Sequence, residues 1–132
     1  MDKTTQIYKA LSEEIRLRIV MLLTHGELCV CDLMEIFGET QSKISRHLAY
    51  LKHSGFVKSR RAGTWMHYSL KEPLDSLIEA HIAFMKEQFS ELPIIQEDVR
   101  RMEEVKSSKL CEKSDAKSLR TTKGFNKTRE GK

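Results

Sequence analysis

Two cysteines separated by a single residue, Cys29 and Cys31, are the side chains of this sequence with the clearest potential for chemistry. Thiolates favour soft ions, so such a pair suits arsenite, antimonite, cadmium or lead. Structural zinc sites instead usually have four ligands, with two or more residues between paired cysteines. The alternative is that both cysteines are small buried hydrophobic residues, the commonest fate of cysteine outside disulfides.

The backbone around this pair decides whether both sulfurs can hold one ion. Residues i and i+2 lie about 200° apart on a helix, whereas they share one side of an extended chain. The pattern of apolar residues predicts a helix over residues 30–37, which begins directly after Cys29 and includes Cys31. We therefore expect ligand capture to unwind the start of this helix.

Cysteine count and apolar content indicate a reducing compartment. The 132 residues contain three cysteines, the third being Cys111, an odd number that is too small for a disulfide framework. No apolar run is long enough to cross a bilayer, and the first residues lack the order of a signal peptide. The sequence therefore predicts a cytoplasmic protein with no membrane partner, whose thiols are available for metal or redox chemistry.

Positive charge is concentrated in one segment of the chain. The formal net charge is +4, yet residues 40–71 contain seven Lys or Arg residues and no Asp or Glu. Residues 107–132 hold eight basic and three acidic residues, which leaves fifteen basic and sixteen acidic residues in 1–106. Such polarisation is typical of a nucleic-acid-binding face, although a solvated basic surface has the same composition.

Two short helices joined by a glycine-containing turn are predicted next to the cysteine pair. The first helix includes Cys31, and the second helix follows it. Apolar residues at three- and four-residue intervals predict one or two helices over residues 4–25 and two more over 30–37 and 41–54. The last two are separated by Gly38-Glu39-Thr40, which is the arrangement of a helix-turn-helix. The next segment, 56–70, is rich in β-branched and aromatic residues and predicts a β-hairpin, which in this position is a wing.

A broad amphipathic helix predicted over residues 73–90 points to a dimer. Pro73 suits its first turn, and its apolar stripe is wide for a small domain to cover. We therefore expect it to pack against a second subunit, the alternative being a helix packed wholly in its own core. The predicted interface consists of Leu74, Leu77, Ile78, Ile82 and Met85. Pro93 ends this helix, and a shorter amphipathic helix is predicted behind it.

These elements predict the fold class and the domain organisation. The fold is mainly α with a small β-hairpin (α+β), a dimeric winged helix-turn-helix. Residues 1–106 form one DNA-binding and dimerisation domain. Residues 107–132 form a basic tail that is predicted to be disordered, because Lys, Ser and Thr dominate it.

Four segments, in this order, resemble the arsenical-resistance repressors of the ArsR/SmtB family. The segments are Leu11–Ile19, Leu28–Leu33, Gln41–Leu48 and Gly63–Tyr68. The resemblance extends over about residues 5–90. Members of that family are dimeric winged-helix repressors that leave their operator when a metal or metalloid binds. The resemblance therefore implies a metalloid-responsive repressor and not an enzyme.

The resemblance also implies which residues contact DNA. The residues that match the recognition helix are Gln41, Ser42, Lys43, Ser45, Arg46 and His47. Arg and Lys suit guanine and Gln suits adenine, and Arg46 is the first choice for base readout. Location alone adds Arg60 and Arg61, at the hairpin tip, as phosphate or minor-groove contacts. A homodimer would present two such helices about 34–36 Å apart, which requires double-stranded operator DNA with an inverted repeat.

For the inducer, the resemblance favours As(III) or Sb(III) bound by Cys29 and Cys31. The family's cysteine box has a third cysteine where this chain has Met34, whose thioether is a poor substitute for a thiolate. The third sulfur is then Cys111, a small cellular thiol, or missing altogether. For Cys111 the favoured alternative is an incidental thiol. No catalytic cofactor is expected.

Three other functions are open on the sequence alone. A thiol redox or persulfide sensor of the same fold would use the same two cysteines. A thiol-disulfide enzyme has only the paired thiols in its favour, since such enzymes usually carry Cys-x-x-Cys beside a βαβ pattern. A winged-helix module for protein contacts is disfavoured by the acid-free basic segment.

Overall fold

The computed structural model describes residues 2–108. Within that range the elements in chain order are α1 (Asp2–Ala10), α2 (Glu14–Leu23), β1 (Leu28–Cys29), α3 (Val30–Phe37), α4 (Gln41–His53), β2 (Val57–Ala62), β3 (Trp65–Leu70), α5 (Ser76–Phe89) and α6 (Pro93–Ser108). Residues 109–132, which contain Cys111 and nearly all of the predicted tail, lie outside the described residues. Among the helices of 2–108, none has the length and apolar character that a membrane span requires.

The helix-turn-helix formed by α3 and α4 follows from strong local signals. Gly38 ends α3 with a φ of 65°, a left-handed conformation that glycine adopts without steric cost. Thr40 caps α4, where its hydroxyl oxygen accepts a hydrogen bond from the Lys43 backbone N–H at 3.2 Å. Ile36 of α3 and Ile44 of α4 are fully buried. The predicted bounds of both helices agree with the structure to within one residue.

The predicted hairpin is confirmed, and a short additional strand pairs with it. β2 and β3 pair antiparallel over all six residues of each strand. β1, two residues long, pairs with the other edge of β3, so the sheet order is β1-β3-β2. Cys29 lies opposite His67 in this pairing. The wing is therefore attached to the strand that carries the first cysteine.

Helix α5 packs much of its apolar stripe inside its own chain. It begins at Ser76, capped by Asp75, and not at Pro73 as predicted. Three of the five predicted dimer-interface residues are at most 5% exposed because α5 packs against α2. The burial of Ile78, Ile82 and Met85 leaves little of their surface to a second subunit. Leu74 and Leu77 are half-buried against the core. Contact of these two side chains with a second subunit stays a prediction.

Helix α6 is joined to the rest of the domain by a buried ion pair. The helix has 16 residues, longer than predicted, and packs on α2 and α3. Arg18 of α2 donates from Nε and Nη2 to the two carboxylate oxygens of Asp98, both at 2.8 Å. The hydrogen bonds to Asp98 raise the pKa of the Arg18 guanidinium above its ordinary value. The guanidinium also lies over the ring of Phe37 at 4.9 Å, so one side chain connects α2, α3 and α6.

Candidate metal centre and nucleic-acid interface

The two cysteines meet at the start of α3. Cys29 ends β1 and has an extended backbone, with φ −90° and ψ 164°, whereas Cys31 lies in the first turn of the helix. Their sulfur atoms are 2.7 Å apart. Both side chains are buried, Cys29 at 0% and Cys31 at 5% exposure. The pair therefore offers two sulfurs to one point inside the domain.

This geometry bears on the expectation that ligand capture unwinds the helix. Residues i and i+2 lie on opposite sides only when both are helical. Cys29 is the N-cap of α3, and its extended backbone brings its sulfur to that of Cys31. Because the two sulfurs already converge with α3 intact from Val30 to Phe37, bringing them to one ligand requires no loss of helix.

Cys29 also caps α3 with its own side chain. The Asp32 backbone N–H donates to Cys29 Sγ at 3.4 Å, and the Cys29 backbone N–H donates to Asp32 Oδ2 at 3.1 Å. This is a capping box in which sulfur replaces the usual hydroxyl.

A third donor, the carboxylate of Asp32, belongs to the same cluster. The ligand atoms of Cys29, Cys31 and Asp32 all lie within 4.8 Å of one another. Burial raises the pKa of the Asp32 carboxyl, an effect opposed by the hydrogen bond from Cys29 and by the charges of His67 and Lys106. Because this carboxylate already caps the helix, the two sulfurs decide ligand preference, and they favour a soft thiophilic species over a hard cation.

The outward face of α4 carries most of the predicted recognition residues. Gln41, Ser42, Lys43 and Arg46 are exposed and Ser45 is half-exposed. Lys43 also pairs with Glu39 at 3.3 Å. The first two turns of α4 therefore present polar and basic side chains to solvent, as the sequence predicts.

His47, which was also predicted to contact DNA, has different surroundings. Its side chain is buried, with 6% exposure. Arg16 Nη1 donates to His47 Nδ1 at 3.3 Å, and the same guanidinium donates to the backbone carbonyls of Ala10 and Lys9 at 2.8 and 2.9 Å. The imidazole therefore joins α4 to the corner between α1 and α2.

Acidification is expected to destabilise the domain through His47. Burial, and then the nearby positive charge of Arg16, lower the pKa of this imidazole below its usual value. The unfolded chain binds the proton more readily, so the contribution is fully present above about pH 6.5 and is lost as the pH falls through the folded-state pKa. Urea unfolding at pH 7.5 and 5.5 should show a smaller pH-dependent loss for His47→Gln than for the wild type. Equal losses would contradict this role.

The two arginines of the wing have different surroundings. Arg61 is exposed. Arg60 instead donates from Nε to Glu27 Oε2 at 2.8 Å and from Nη2 to Glu27 Oε1 at 2.7 Å. Glu27 was not among the residues predicted to form the site, and its partner is 33 residues away in the sequence. The available signal was an acidic residue directly before the cysteine box, which could pair with the acid-free basic segment.

Comparisons with known proteins agree with this architecture. Residues 13–59 match the model of a family described as bacterial regulatory protein, arsR family. The arsenical resistance operon repressor of Escherichia coli K12 is 53% identical over 66 residues, which cover 49% of this chain and 56% of that protein. The arsenical resistance operon repressor of Bacillus subtilis 168 is 44% identical over 73 residues, covering 54% and 70%. The chain thus spans little more than half the length of the Escherichia coli relative.

A solved structure supports the fold independently. It is a homodimeric winged helix-turn-helix DNA-binding domain from Mycobacterium bovis, described as a possible ArsR-family transcriptional regulator. The TM-score is 0.57 at 28% sequence identity, with 69% of this chain and 82% of that chain covered. The arrangement of α3, α4 and the wing in this chain is therefore that of a DNA-binding winged helix.

Proposed function

This chain belongs to the ArsR family of bacterial regulatory proteins, and on that premise we propose that it is a transcriptional repressor released from its operator by a soft metalloid. The observation that carries the proposal is the convergence of the Cys29 and Cys31 sulfurs, 2.7 Å apart, on the helix that precedes the recognition helix. Relatives named as arsenical resistance operon repressors favour As(III) as the inducer, with Sb(III) as its chemical analogue.

Capture exchanges oxygen for sulfur on the metalloid. For each cysteine, one As–S bond forms, one As–O bond of arsenous acid breaks, and the thiol proton leaves with the hydroxyl group as water. The N-terminal position of Cys29 on α3 favours the thiolate that attacks first. With both sulfurs occupied, Cys29 can no longer act as the same hydrogen-bond acceptor for Asp32, and the cap of α3 changes.

A third sulfur would come from Cys111, beyond the last helix. Helix α6 packs on α3, whose first turn carries Cys31. Cys111 is three positions beyond Ser108, the last residue of α6, and its thiol would be the third that arsenite prefers.

The DNA-binding surface consists of α4 and the wing, repeated by a homodimer. The contacts come from Gln41, Ser42, Lys43, Ser45, Arg46, Arg60 and Arg61, with Arg46 reading a base. A two-fold axis would place two copies of α4 one DNA turn apart, so the operator is double-stranded DNA with an inverted repeat.

The dimer forms through the outer faces of α1 and α5. Tyr8 and Phe84 are the most exposed large hydrophobic side chains there, at 57% and 55%. His81 of α5 lies 3.0 Å from the Tyr8 hydroxyl and joins the two helices into one face. The homodimeric relative supports a second copy of this chain as the occupant.

An operator titration tests the proposal. A fluorescent duplex, selected by the protein from a random pool, would be titrated in reducing buffer and followed by anisotropy. Arsenite should lower operator affinity of the wild type by about 5- to 150-fold, the usual range of coupling between two sites. Cys29→Ser should need at least about tenfold more arsenite, because a hydroxyl is a poor ligand for a soft centre.

The same titration, repeated with cysteine variants, shows which sulfurs bind the metalloid. Cys111→Ser weakens the response if Cys111 binds the metalloid and leaves it unchanged if a small thiol completes the site. Release of Cys29→Ser at the wild-type arsenite concentration would show that the inducer binds elsewhere. By linkage, operator DNA must weaken arsenite binding by the factor that arsenite weakens DNA binding.

The proximity of the sulfurs also supports a second candidate, a redox-sensing repressor of the same fold. One molecule of peroxide would take two electrons and two protons from the cysteine pair, which forms a disulfide while two waters leave. Peroxide without any metal would then release the operator, and a reductant would restore binding. Release by arsenite under strongly reducing conditions, without a response to peroxide, would eliminate this candidate.

A further inference from the structure

A row of three side chains crosses the sheet from the cysteine pair to the wing. In the strand register, Cys29 lies opposite His67, and His67 lies opposite Arg60. Residues directly opposite one another on antiparallel strands have their side chains on the same face of the sheet. The first cysteine, the histidine and the wing arginine therefore share one face, in that order.

Glu27 contacts Arg60 at one end of this row and is close in sequence to Cys29 at the other end. It precedes Cys29 by two residues, and its carboxylate accepts both hydrogen bonds of the Arg60 guanidinium, at 2.8 and 2.7 Å. His67 Nδ1 lies 3.9 Å from the same carboxylate. Both hydrogen bonds are charge-assisted, because a guanidinium and an ordinary glutamate are ionised at neutral pH. We call this ion pair the Glu27–Arg60 bridge.

The Glu27–Arg60 bridge occupies the N–H donors that Arg60 would use to bind a DNA phosphate. A guanidinium binds carboxylate and phosphate through the same fork of parallel N–H groups. While Nε and Nη2 are on Glu27, Arg60 cannot offer that fork to DNA, and the carboxylate adds a charge that repels phosphates. The side chains of Arg60 and Glu27 are 61% and 32% exposed, respectively. Exposed ion pairs add little to stability, so Arg60 can exchange Glu27 for a phosphate at small cost.

We propose that Glu27 competes with DNA for Arg60, so that the closed bridge belongs to the released protein and the open bridge to the operator complex. The proposal rests on the repressor function proposed above and adds a regulatory residue to it. Because Glu27 and Cys29 are two residues apart on one short segment, a ligand that moves this segment also changes whether Arg60 is available.

Glu27→Gln tests the competition. The amide keeps the size of the side chain but not its charge, so Arg60 becomes free to bind phosphate. Affinity for the selected operator duplex, without arsenite, should rise about 3- to 10-fold, because binding no longer has to break an exposed ion pair in each protomer. The slope of log affinity against log salt should also steepen, because salt weakens the competing Glu27–Arg60 bridge in the wild type and no such competitor is present in the variant. Saturating arsenite should then lower operator affinity by a smaller factor than in the wild type.

Glu35→Gln is the matched control, because it removes the same charge from an exposed position on α3. A general charge effect would give both variants the same affinity and salt slope, and that result would overturn the proposal. A loss of affinity in Glu27→Gln would also overturn it, since the bridge would then be orienting the wing for DNA. If Glu27→Gln gains affinity and slope but arsenite does not release the wild type, the bridge stands and the inducer assignment fails. A chain that binds no DNA would contradict both.

Discussion

Replacing Arg18 with alanine is expected to lower the free energy of unfolding by about 3–5 kcal/mol, because it leaves a buried carboxylate without its cation. Asp98 is 1% exposed, and both of its oxygens accept hydrogen bonds from Arg18 at 2.8 Å. The substitution also removes the guanidinium that covers the ring of Phe37. Urea unfolding followed by circular dichroism at one fixed protein concentration measures the change, since dimer stability depends on concentration.

Arg100→Ala provides the control for this substitution. Arg100 forms ion pairs with Glu97 and Glu104 on the exposed side of α6, each at 2.7 Å. Exposed ion pairs of this kind contribute little, so the unfolding midpoint of this variant should stay near that of the wild type. A loss below about 1 kcal/mol for Arg18→Ala would contradict this prediction. It would mean that the Asp98 carboxyl needs no cation in spite of its burial.

The helix-turn-helix and the wing could be predicted because their signals are local. Gly38 and Thr40 define the end of one helix and the start of the next through backbone conformation and capping. Each of these effects depends on residues within four positions in sequence. The hairpin combines β-branched and aromatic strands with a two-residue turn, which is equally local. Both elements therefore agree with the predicted bounds to within one residue.

Features that depend on distant residues could not be predicted. β1 has only two residues, too few for any alternation of apolar and polar side chains, and it exists because β3 pairs with it. Glu27 meets Arg60 only after the wing has folded against that strand. An amphipathic helix shows which face is apolar but not whether its own chain or a second subunit covers that face. The apolar stripe of α5 therefore did not show that Ile78, Ile82 and Met85 are buried within their own chain.

The cysteine pair shows how one residue at a helix boundary changes a chemical conclusion. The predicted start of α3 at residue 30 was correct, but treating Cys29 as part of a helical geometry led to the expectation of unwinding. As the N-cap, Cys29 has extended backbone, and its sulfur lies beside that of Cys31. The structure therefore adds an alternative to release through loss of helix, namely release through the cap of α3 and the adjoining strand.

Arg46→Ala is expected to have the largest effect on operator binding. Arg46 is exposed in the second turn of α4, where a side chain reaches base edges in the major groove. A bidentate arginine–guanine contact contributes about 1–3 kcal/mol of discrimination. A dimer makes the contact twice, so the variant should lose about 2–6 kcal/mol, or roughly 30- to 20,000-fold in affinity for the selected duplex. Anisotropy titrations against that duplex and a scrambled one would measure the loss.

Lys52→Ala separates base readout from simple loss of charge. Lys52 lies at the other end of the same helix, where its ammonium donates to the Ser59 hydroxyl at 2.9 Å. The Lys52→Ala substitution therefore removes one positive charge from α4 and leaves the side chains of the first two turns unchanged. Arg46→Ala should weaken binding to the selected duplex far more than to the scrambled one, whereas Lys52→Ala should affect both alike. If Arg46→Ala also weakens both alike, Arg46 binds phosphate, and the base contact must come from another residue of the α4 face.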